Sequence, residues 1–431
     1  MNIAVIGSGG REHAIAYKVN ESLKKYYPGE NNLFILPGNA GTNEIGTNVS
    51  VEKSNDAILT FCKNHKIDLT IIGPEQPLVE GLADLLREHG FRVFGPSKNA
   101  ARIESEKAFA KSLMKKYSIP TASFREFDYI DIEGCLSYLK TTLYPTVVKA
   151  NGLAAGKGVI ICNDFHEAEK TVEDFFIKRV FGDAGSKLVI EEFLTGEEAS
   201  IFAITDGKEF FCLPPAQDHK RIGDNDTGKN TGGMGSYAPT PLITRELQAQ
   251  IEETIIFPTI RGMAQEGFPF SGCLYCGLII TEEGPKVIEF NCRFGDPETQ
   301  SVLPLLKGKF VQLLLSSAEG KLDKNSVSYN GGSSVCVIAA SSGYPDKYES
   351  GYEISGLAKI DQSIATVFHS GTKIVDGKIL SSGGRVLGVT SILNENNIPN
   401  AIEIAYSELN KIKFDNMVFR RDIGKKSFKY F

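Results

Sequence analysis

The chain has 431 residues, of which 42% are hydrophobic and 23% charged, and it carries a formal net charge of -6. This composition is typical of a soluble globular protein, and the length exceeds what one hydrophobic core usually serves, so about two to four domains are expected. The acidic balance argues against nucleic acid as the main partner, and no apolar run approaches the ~20 residues of a membrane span.

The amino terminus and the cysteines set an expectation about the compartment. The start MNIAVIGSGGREHA lacks the basic segment and long apolar core of a signal peptide, and it predicts a first strand and turn. Cys273 and Cys276 form a lone C-x-x-C inside a predicted strand, which favours buried free thiols over a zinc or redox pair. A cytoplasmic protein is expected.

The first hundred residues alternate between short apolar strands and helices. Strands are predicted at 2–6, 33–36, 68–72 and 92–95, and helices at 11–26, 55–64 and 78–89. This alternation predicts a doubly wound parallel α/β domain. In such sheets ligands bind outside the carboxyl ends of the strands, so the glycine and proline loops at those ends are expected to line a pocket.

The turn Gly7–Gly10 begins like a dinucleotide-binding fingerprint and then departs from it. Glu12 stands where the third glycine belongs, and the second strand ends in Pro37-Gly38 without the carboxylate that would hold a ribose. A dinucleotide is therefore disfavoured. Two interpretations stay open: a phosphate on the helix N-terminus, favoured by Arg11, and a tight turn needed only for packing.

The rest of the chain predicts smaller α+β units and a closing domain. The predicted elements are a helical stretch at 97–117, strands at 145–150 and 158–161, a helix at 165–178, a strand at 187–193, a hairpin at 204–211, a long polar loop at 217–239, a helix at 244–265, a strand pair at 271–280 and 286–292, a strand at 334–340 and a helix at 399–412. A loop as long as 217–239 is usually functional when it is ordered.

The stretch VVKANGLAAGKGVII, residues 147–161, is glycine-rich but is not a Walker A motif, because its spacing is wrong and it joins two predicted strands. Its glycines, with Lys157, can still close over a triphosphate through backbone N–H groups. Lys149 ends an otherwise apolar strand and needs an anion nearby. The alternative is a flexible surface hairpin.

In LVIEEFLTGEEAS, residues 188–200, four carboxylates bracket the apolar pair Phe193-Leu194. A nucleoside needs an apolar slot for its base and a carboxylate for its ribose, and this stretch offers both. A solvated acidic turn explains the pattern equally well.

The stretch VIEFNCRFGDPETQ, residues 287–300, ends an apolar strand with charges of both signs. Glu289 and Asn291 lie two residues apart, so they share one face and offer the oxygen ligands that Mg²⁺ prefers. Arg293 can fork a phosphate or carboxylate. The alternative is a charged hairpin end, but together the three stretches predict an ATP site between two α+β units.

The chain resembles the ATP-grasp superfamily and, within it, the family of phosphoribosylamine–glycine ligases, essentially from end to end. The motifs that carry the resemblance are GSGGREHA (7–14), PGNAGT (37–42), GPEQPLVEGL (73–82), GPS (95–97), KANGLAAGKGV (149–159), IEEFLTGEEAS (190–200), QDHKR (217–221), NTGGMG (230–235) and RFGDPETQ (293–300). Departures are small: Asn151 where the family usually has Asp, and Lys229 where Pro is common.

The resemblance implies an α/β and α+β fold whose ATP-grasp core has two α+β units and a mobile lid. The implied domains are an N-terminal doubly wound α/β domain (1–104), a central domain (105–122 and 194–328), the lid (123–193) and a small C-terminal domain (329–431). The implied reaction joins glycine to 5-phosphoribosylamine through a glycyl phosphate, with ATP and Mg²⁺ or Mn²⁺, giving glycinamide ribonucleotide, ADP and phosphate in de novo purine synthesis.

The resemblance also implies roles for individual residues. ATP would contact Lys107, Lys149, Gly156, Lys157, Gly158, Glu191, Glu192, Phe193, Leu194 and Glu198; the metal Glu289 and Asn291; the substrates Gly9, Gly10, Arg11, Glu75, Asp218, Arg221 and Glu298; and Arg293, Asp296 and Lys220 would be catalytic. Glu197 is the alternative to Glu198 at the ribose. The strand GCLYCGLII offers no third metal carboxylate, so the full ligation stays open.

Three rival functions are disfavoured by specific residues. QDHKR and RFGDPETQ argue against other ATP-grasp ligases and against a biotin carboxylase-like enzyme. The missing third glycine argues against a nucleotide-dependent oxidoreductase, and the complete set of lysine and metal positions argues against an inactive ATP-binding regulator. The expected partners are the two small-molecule substrates, with no nucleic acid and no membrane, and the expected state is a monomer or weak homodimer.

Overall fold

In the computed structural model, which describes residues 1–154, 157–329 and 331–431, the amino-terminal unit is a parallel sheet flanked by helices. Its strands are β1 (Asn2–Gly7), β2 (Asn32–Pro37), β3 (Thr47–Asn48), β4 (Leu69–Ile72) and β5 (Val93–Phe94), and its helices are α1 (Gly10–Tyr26), α2 (Asn55–Asn64), α3 (Glu75–Val79), α4 (Leu82–Glu88) and α5 (Lys98–Ser105). The strand order is β3-β2-β1-β4-β5. The predicted doubly wound domain is confirmed.

The strand order reverses between β1 and β4, because the chain adds β2 and β3 on one side of β1 before it returns to the other side. The carboxyl ends of the two strands are tied together at the backbone, since the Gly73 N–H donates to the Ile6 carbonyl at 3.0 Å. Such a reversal opens a crevice at the carboxyl edge of the sheet. The loops that begin at Gly7 and Gly73 line that crevice.

Two predicted helices are each broken in the middle. The helix predicted at 78–89 is α3 and α4, separated at Gly81, whose φ of 87° lies in the left-handed region that favours glycine. The stretch predicted at 97–117 is α5 followed by α6 (Lys107–Lys116), separated at Glu106, whose backbone is extended. The second break places Lys107 at the start of a helix.

The predicted lid is a four-stranded antiparallel sheet with its own core. Its elements are β6 (Phe124–Asp128), α7 (Ile132–Leu139), β7 (Thr146–Ala150), β8 (Val159–Cys162), α8 (Phe165–Val172) and β9 (Lys187–Glu192). The order is β6-β9-β7-β8, and the helices pack on buried strand residues such as Val148, Leu188 and Ile190. The predicted pair of strands around the glycine loop is confirmed as β7 and β8.

The central unit is a second antiparallel sheet, packed against the first unit. Its elements are β10 (Glu197–Asp206), β11 (Phe210–Cys212), β12 (Gln217–Asp218), β13 (Arg221–Gly223), β14 (Thr227–Asn230), β15 (Gly235–Ala238), α9 (Arg245–Ile251), α10 (Phe257–Gln265), β16 (Ser271–Thr281) and β17 (Gly284–Asn291). The sheet order is β11-β10-β16-β17. One apolar core joins Ile6 and Leu36 of the first unit to Ile201, Leu274 and Phe290 of this sheet.

The last unit contains a sheet that also includes β12 and β15 from earlier in the chain. Its elements are β20 (Ser333–Ser341), β21 (Ala365–His369), β22 (Thr372–Val375), β23 (Lys378–Ser381), β24 (Arg385–Leu393), α13 (Ile398–Leu409) and β25 (Met417–Val418). The elements that precede it are α11 (Glu298–Val302), β18 (Leu306–Gly308), α12 (Phe310–Ala318) and β19 (Val327–Tyr329), and their apolar side chains pack into a core shared with the first and central units. The sheet order is β12-β15-β20-β24-β21, and β25 also pairs with β20.

The prediction of a long loop at 217–239 is therefore wrong. The segment forms β12 to β15, and β15 pairs with β20 so that Tyr237 is fully buried. A missing Cβ at Gly235 permits the pairing, because a Cβ there would lie 2.6 Å from the Cys336 carbonyl oxygen. The segment has no apolar alternation of its own, because β15 lies between β12 and β20 and is buried throughout, including Gly235 and Ser236.

Across the three described ranges, no helix is both long and apolar enough to cross a membrane.

Candidate active site

Side chains at the ends of strands from three different sheets meet at one cleft. Arg293, just after β17, contacts Glu75, just after β4, with its Nε 3.2 Å from a carboxylate oxygen. Lys149, near the end of β7, donates to the carbonyl of Ile288 in β17 at 3.2 Å. The amino-terminal sheet, the central sheet and the lid therefore each contribute side chains to the same site.

Two lysines lie near each other at the cleft. Lys107, the first residue of α6, donates from Nζ to the carbonyl of Gly152 in the loop after β7 at 3.1 Å. Burial lowers the pKa of Lys107, and the nearby carboxylate of Glu289 offsets this only in part. Lys149 Nζ lies 2.9 Å from Glu191. The two ammonium groups are placed to receive a shared anion.

The glycine loop between β7 and β8 lies beside Lys107 and Lys149. Gly158 is buried, and a Cβ there would lie 2.7 Å from the Ala154 methyl group, so only glycine fits. Lys157 has an exposed side chain, and its backbone N–H donates to the Ala154 carbonyl at 2.9 Å. Gly156, predicted to bind ATP, lies outside the described residues.

The residues that follow β9 combine carboxylates with apolar side chains. Glu191 is buried, whereas Glu192 is exposed and accepts from the Ser123 N–H at 2.9 Å. Phe193 is 41% exposed and Leu194 is half-buried. An apolar surface beside paired lysines suits a base at one end and phosphates at the other.

Glu289 and Asn291 share one face of β17, as predicted. They lie opposite Gly277 and Tyr275 of β16, and the β-bulge in this ladder falls before Glu289. Both side chains are half-buried. Burial alone would raise the pKa of Glu289, but the surrounding cations, Lys220 foremost, outweigh it and lower the pKa. The carboxylate is therefore ionised and open to the cleft.

Arg293 is held by two carboxylates. Its Nη2 lies 3.0 Å from Glu104 and its Nε 3.2 Å from Glu75. Glu104 also accepts from the Cys292 N–H at 2.7 Å. Burial opposes the charge on Arg293, but these carboxylates outweigh it and raise its pKa. The guanidinium is fixed in direction at the end of β17.

A cluster of carboxylates, in which Asp218 and Glu298 are buried, lies near Glu289 in the cleft. Glu298 accepts from the Ser200 hydroxyl at 2.9 Å and from the Tyr275 hydroxyl at 3.0 Å. Burial raises the pKa of Asp218 to about 7 against the opposing effect of Lys220. Lys220 in turn lies 2.6 Å from Glu198. Buried carboxylates of this kind suit a cationic ligand.

Asp296 is bound by an arginine from the C-terminal sheet. Arg385 Nη2 lies 2.9 Å from its carboxylate, and Arg385 Nη1 also donates to the carbonyls of Asp296 at 2.8 Å and Gly232 at 2.5 Å. This arginine joins the RFGDPETQ and NTGGMG motifs. A residue from the last hundred positions thus completes the site.

The turn before α1 is filled by Glu12. Its carboxylate accepts from the Gly9 N–H at 2.7 Å and from Arg11 Nε at 2.5 Å. A Cβ at Gly10 would lie 2.5 Å from the Ser370 hydroxyl, so the C-terminal unit closes over this turn. Glu12 therefore packs against the turn, and Arg11 is ion-paired with Glu12 and lies 4.0 Å from Glu75.

Arg221 is the predicted site residue that the structure places in a hairpin instead of the cluster. It lies on β13, and its Nη1 donates to the Gly228 carbonyl at 2.7 Å in the following strand.

Five side chains of the site were missed by sequence reasoning: Glu104, Lys111, Ser200, Tyr275 and Arg385. A signal existed for the first two, since each is a charge on a helix face that is otherwise buried and apolar. The other three carry no local signal, because strand pairing alone brings them to the cleft.

These features define a class of protein. An antiparallel lid sheet with lysines, facing an antiparallel central sheet that ends in Glu-x-Asn, is the arrangement of ATP-grasp enzymes, which use ATP and a divalent metal.

Family models then identify the branch. The three domains described as phosphoribosylglycinamide synthetase match in order: the N domain at residues 1–104, the ATP-grasp (A) domain at 105–299 and the C domain at 334–426. The chain belongs to this family.

Individual relatives agree. The chain is 46% identical to the phosphoribosylamine–glycine ligase of Caldanaerobacter subterraneus subsp. tengcongensis, over 98% of this chain and 99% of that protein. It is 46% identical to the enzyme of that name from Escherichia coli O6:H1, over 98% of each chain.

Solved structures share the fold. The crystal structure of phosphoribosylamine–glycine ligase from Thermotoga maritima is 33% identical, with a TM-score of 0.83 over 98% of this chain and 100% of that chain. Biotin carboxylase from Campylobacter jejuni is 13% identical, with a TM-score of 0.74 over 99% and 94%, and shares the fold alone.

Proposed function

We propose that this chain ligates glycine to 5-phosphoribosylamine with ATP, giving glycinamide ribonucleotide, ADP and phosphate, as a step of de novo purine biosynthesis. The observation that carries the proposal is the cleft itself, where Lys107, Glu289 and Arg293 of the central unit meet Lys149 of the lid, in a chain that matches all three domains of the family. The proposed substrates are small molecules, and the proposed compartment is the cytoplasm.

The nucleotide would lie between the lid and the central sheet. Lys107 and Lys149, with the backbone of the glycine loop at 156–158, would hold the phosphates, and Lys157 would reach them from the loop. Glu192 and Leu194 would flank the adenine together with Phe193, Glu191 would lie behind them, and Glu198 or Glu197 would bind the ribose. This placement agrees with the exposed ring of Phe193 at the end of β9.

Glu289 and Asn291 fit a divalent ion that is shared with phosphate. The donors are the hard oxygens that Mg²⁺ or Mn²⁺ prefers, and the lowered pKa of Glu289 keeps its carboxylate charged. In the described parts of the chain, no three histidine, cysteine or carboxylate side chains form a group that could hold a metal by themselves. A bound ion would neutralise charge on the transferring phosphoryl group.

The first step joins glycine to phosphate. A carboxylate oxygen of glycine attacks the γ-phosphorus, the bond to the ADP oxygen breaks, and a glycyl phosphate forms. Catalysis is mainly positioning and charge stabilisation, because the protein makes no covalent bond. Arg293, held by Glu75 and Glu104, would face the transferring group from a fixed direction.

The second step transfers the glycyl group. The amine of 5-phosphoribosylamine attacks the acyl carbon, the bond to the phosphate oxygen breaks, and the amine loses a proton. Asp218, Glu298, Lys220 and Asp296 would line the acceptor side. Because the pKa of Asp218 is raised to about 7, its carboxylate can accept or hold a proton near neutral pH.

Gly9, Gly10, Arg11 and Glu75 would bound the phosphoribosylamine, and Arg221 would approach from the β13–β14 hairpin. The lid (123–193) is expected to open for the nucleotide and then close to exclude water. We propose a monomer or weak homodimer.

The test is a substrate-omission experiment. Phosphate release from Mg-ATP is measured with glycine and 5-phosphoribosylamine made in situ, and with each omitted in turn. Release that needs both supports the proposal. Release driven by bicarbonate or by another carboxylate would overturn the substrate assignment.

A further inference from the structure

Three buried charges link α6, β7 and β9 behind the nucleotide cleft. Glu191 lies between two ammonium groups: one oxygen is 2.9 Å from Lys149 Nζ and the other is 3.0 Å from Lys111 Nζ. The three side chains are only 3–7% exposed. We call Lys111, Glu191 and Lys149 the ion triad.

Lys111 is anchored to the central unit. Its Nζ donates to the Thr121 hydroxyl at 2.8 Å, and that hydroxyl donates to the Val287 carbonyl of β17 at 2.7 Å. Lys149 donates to the next carbonyl along β17, that of Ile288. The ion triad therefore spans the junction between the lid strands and the strand that carries Glu289.

The charges in the ion triad do not cancel. Two cations share one carboxylate, which leaves a net positive charge next to the cleft. Removing one partner from a buried ion pair is costly, because the remaining charge has lost both water and its counterion. If Lys149 turns toward a phosphate, Glu191 still has Lys111 as its partner. Without Lys111, a movement of Lys149 toward a phosphate would leave the buried carboxylate of Glu191 with neither lysine, so Lys149 would stay paired with Glu191.

We propose that Lys111 is a positioning residue, which keeps Glu191 neutralised so that Lys149 is free to engage the nucleotide phosphates. This inference rests on the proposed function, since it takes the anion at Lys149 to be nucleotide phosphate. Burial also lowers the pKa of Lys111 to about 8, with Glu191 the main opposing influence. Lys111 thus remains charged at neutral pH because Glu191 is its neighbour.

The test compares two lysines of the same helix. Lys111→Met removes the charge with little change of volume, and Lys115→Met does the same one turn further on, where the side chain is exposed. Binding of Mg-ATP and of AMP is measured by calorimetry. We expect Lys111→Met to bind Mg-ATP about tenfold more weakly and AMP less than about threefold more weakly. Lys115→Met should bind both nucleotides like the wild type.

A double variant separates positioning from a general loss of structure. In Lys111→Met with Glu191→Gln, no carboxylate remains to hold Lys149, so Mg-ATP affinity should return to within about threefold of that of Glu191→Gln alone. Unchanged Mg-ATP affinity in Lys111→Met, equal losses for both nucleotides, or no recovery in the double variant would each overturn the inference. A wild-type chain that binds no Mg-ATP would overturn the proposed function as well.

Discussion

Replacing Glu104 by glutamine should remove one of the two carboxylates that hold Arg293 and so lower the stability of the protein. The substitution keeps the size of the side chain. It also keeps an oxygen that can accept from the Cys292 N–H, which donates to the Glu104 carboxylate at 2.7 Å in the wild type. It removes the negative charge that lies 3.0 Å from Arg293 Nη2. Glu104 is 6% exposed and Arg293 18% exposed at the side chain, so water screens the pair poorly.

The size of the effect follows from the remaining partners. Breaking a buried ion pair by removing one partner costs roughly 3–5 kcal/mol. Arg293 keeps Glu75, whose carboxylate is 3.2 Å away and one-third exposed, and the glutamine keeps one hydrogen bond. We therefore expect the free energy of unfolding to fall by about 2–3 kcal/mol, at or just below the lower end of that range.

The matched control is Glu106→Gln. Glu106 pairs with Arg102 at 2.8 Å one helical turn away, but it is 41% exposed, so its loss should cost no more than about 0.5 kcal/mol. Because the chain has no tryptophan, urea unfolding is followed by far-UV circular dichroism. Since the chain has several units, the difference between the two variants is the quantity of interest.

The same variant tests the role of Arg293 in the reaction. If the guanidinium must be held toward the transferring phosphoryl group, kcat should fall at least about tenfold in Glu104→Gln while KM for ATP changes little. Equal stability of Glu104→Gln and Glu106→Gln, with unchanged kcat, would show that Glu104 does not hold Arg293 in place.

Three further predictions concern metal, pH and nucleotide choice. Glu289→Gln should lower turnover at least about a hundredfold at ordinary Mg²⁺ and recover in part at higher Mg²⁺, with an unchanged circular dichroism spectrum; wild-type rates would contradict the metal assignment. The pKa of Asp218 is raised from 3.8 to about 7 in the folded chain, so its favourable contribution to stability is present below pH 4 and is lost as the pH rises through 7. Asp218→Asn should thus match wild-type stability at pH 4 and exceed it at pH 8, by at most about 4 kcal/mol in urea unfolding, and a constant difference across this range would refute the shift. Mg-ATP should raise the melting temperature of the chain and NADH should not; stabilisation by NADH alone would revive the oxidoreductase alternative.

Local patterns predicted the elements that carry their own apolar signal. Strands such as β1 and β4 are short, mostly apolar runs that lead into a glycine loop, so their existence and their common edge followed from the sequence. Strand β3 has only two residues and gave no signal. The segment around Gly235 was missed for a different reason, because its burial depends on β20, a strand a hundred residues later.

The same distinction holds for the site. Glu289 and Asn291 lie at the end of a largely apolar strand and Arg293 follows it, and a polar cluster in that position is visible in the sequence. Arg385 reaches Asp296 only because β24 and β20 pair in the C-terminal sheet, and no local pattern encodes that contact. Glu104 could have been found, since a carboxylate on the buried face of a helix requires a partner.

In the proposed reaction, glycine is activated through its carboxylate at the expense of ATP. The decisive experiment supplies glycine labelled with oxygen-18 in the carboxylate, together with Mg-ATP and 5-phosphoribosylamine, and analyses the released phosphate by mass spectrometry. If a glycyl phosphate forms and the amine then displaces phosphate, one labelled oxygen passes from each glycine to phosphate, and the label in phosphate equals the glycinamide ribonucleotide formed. Unlabelled phosphate would show that the glycine carboxylate is not phosphorylated.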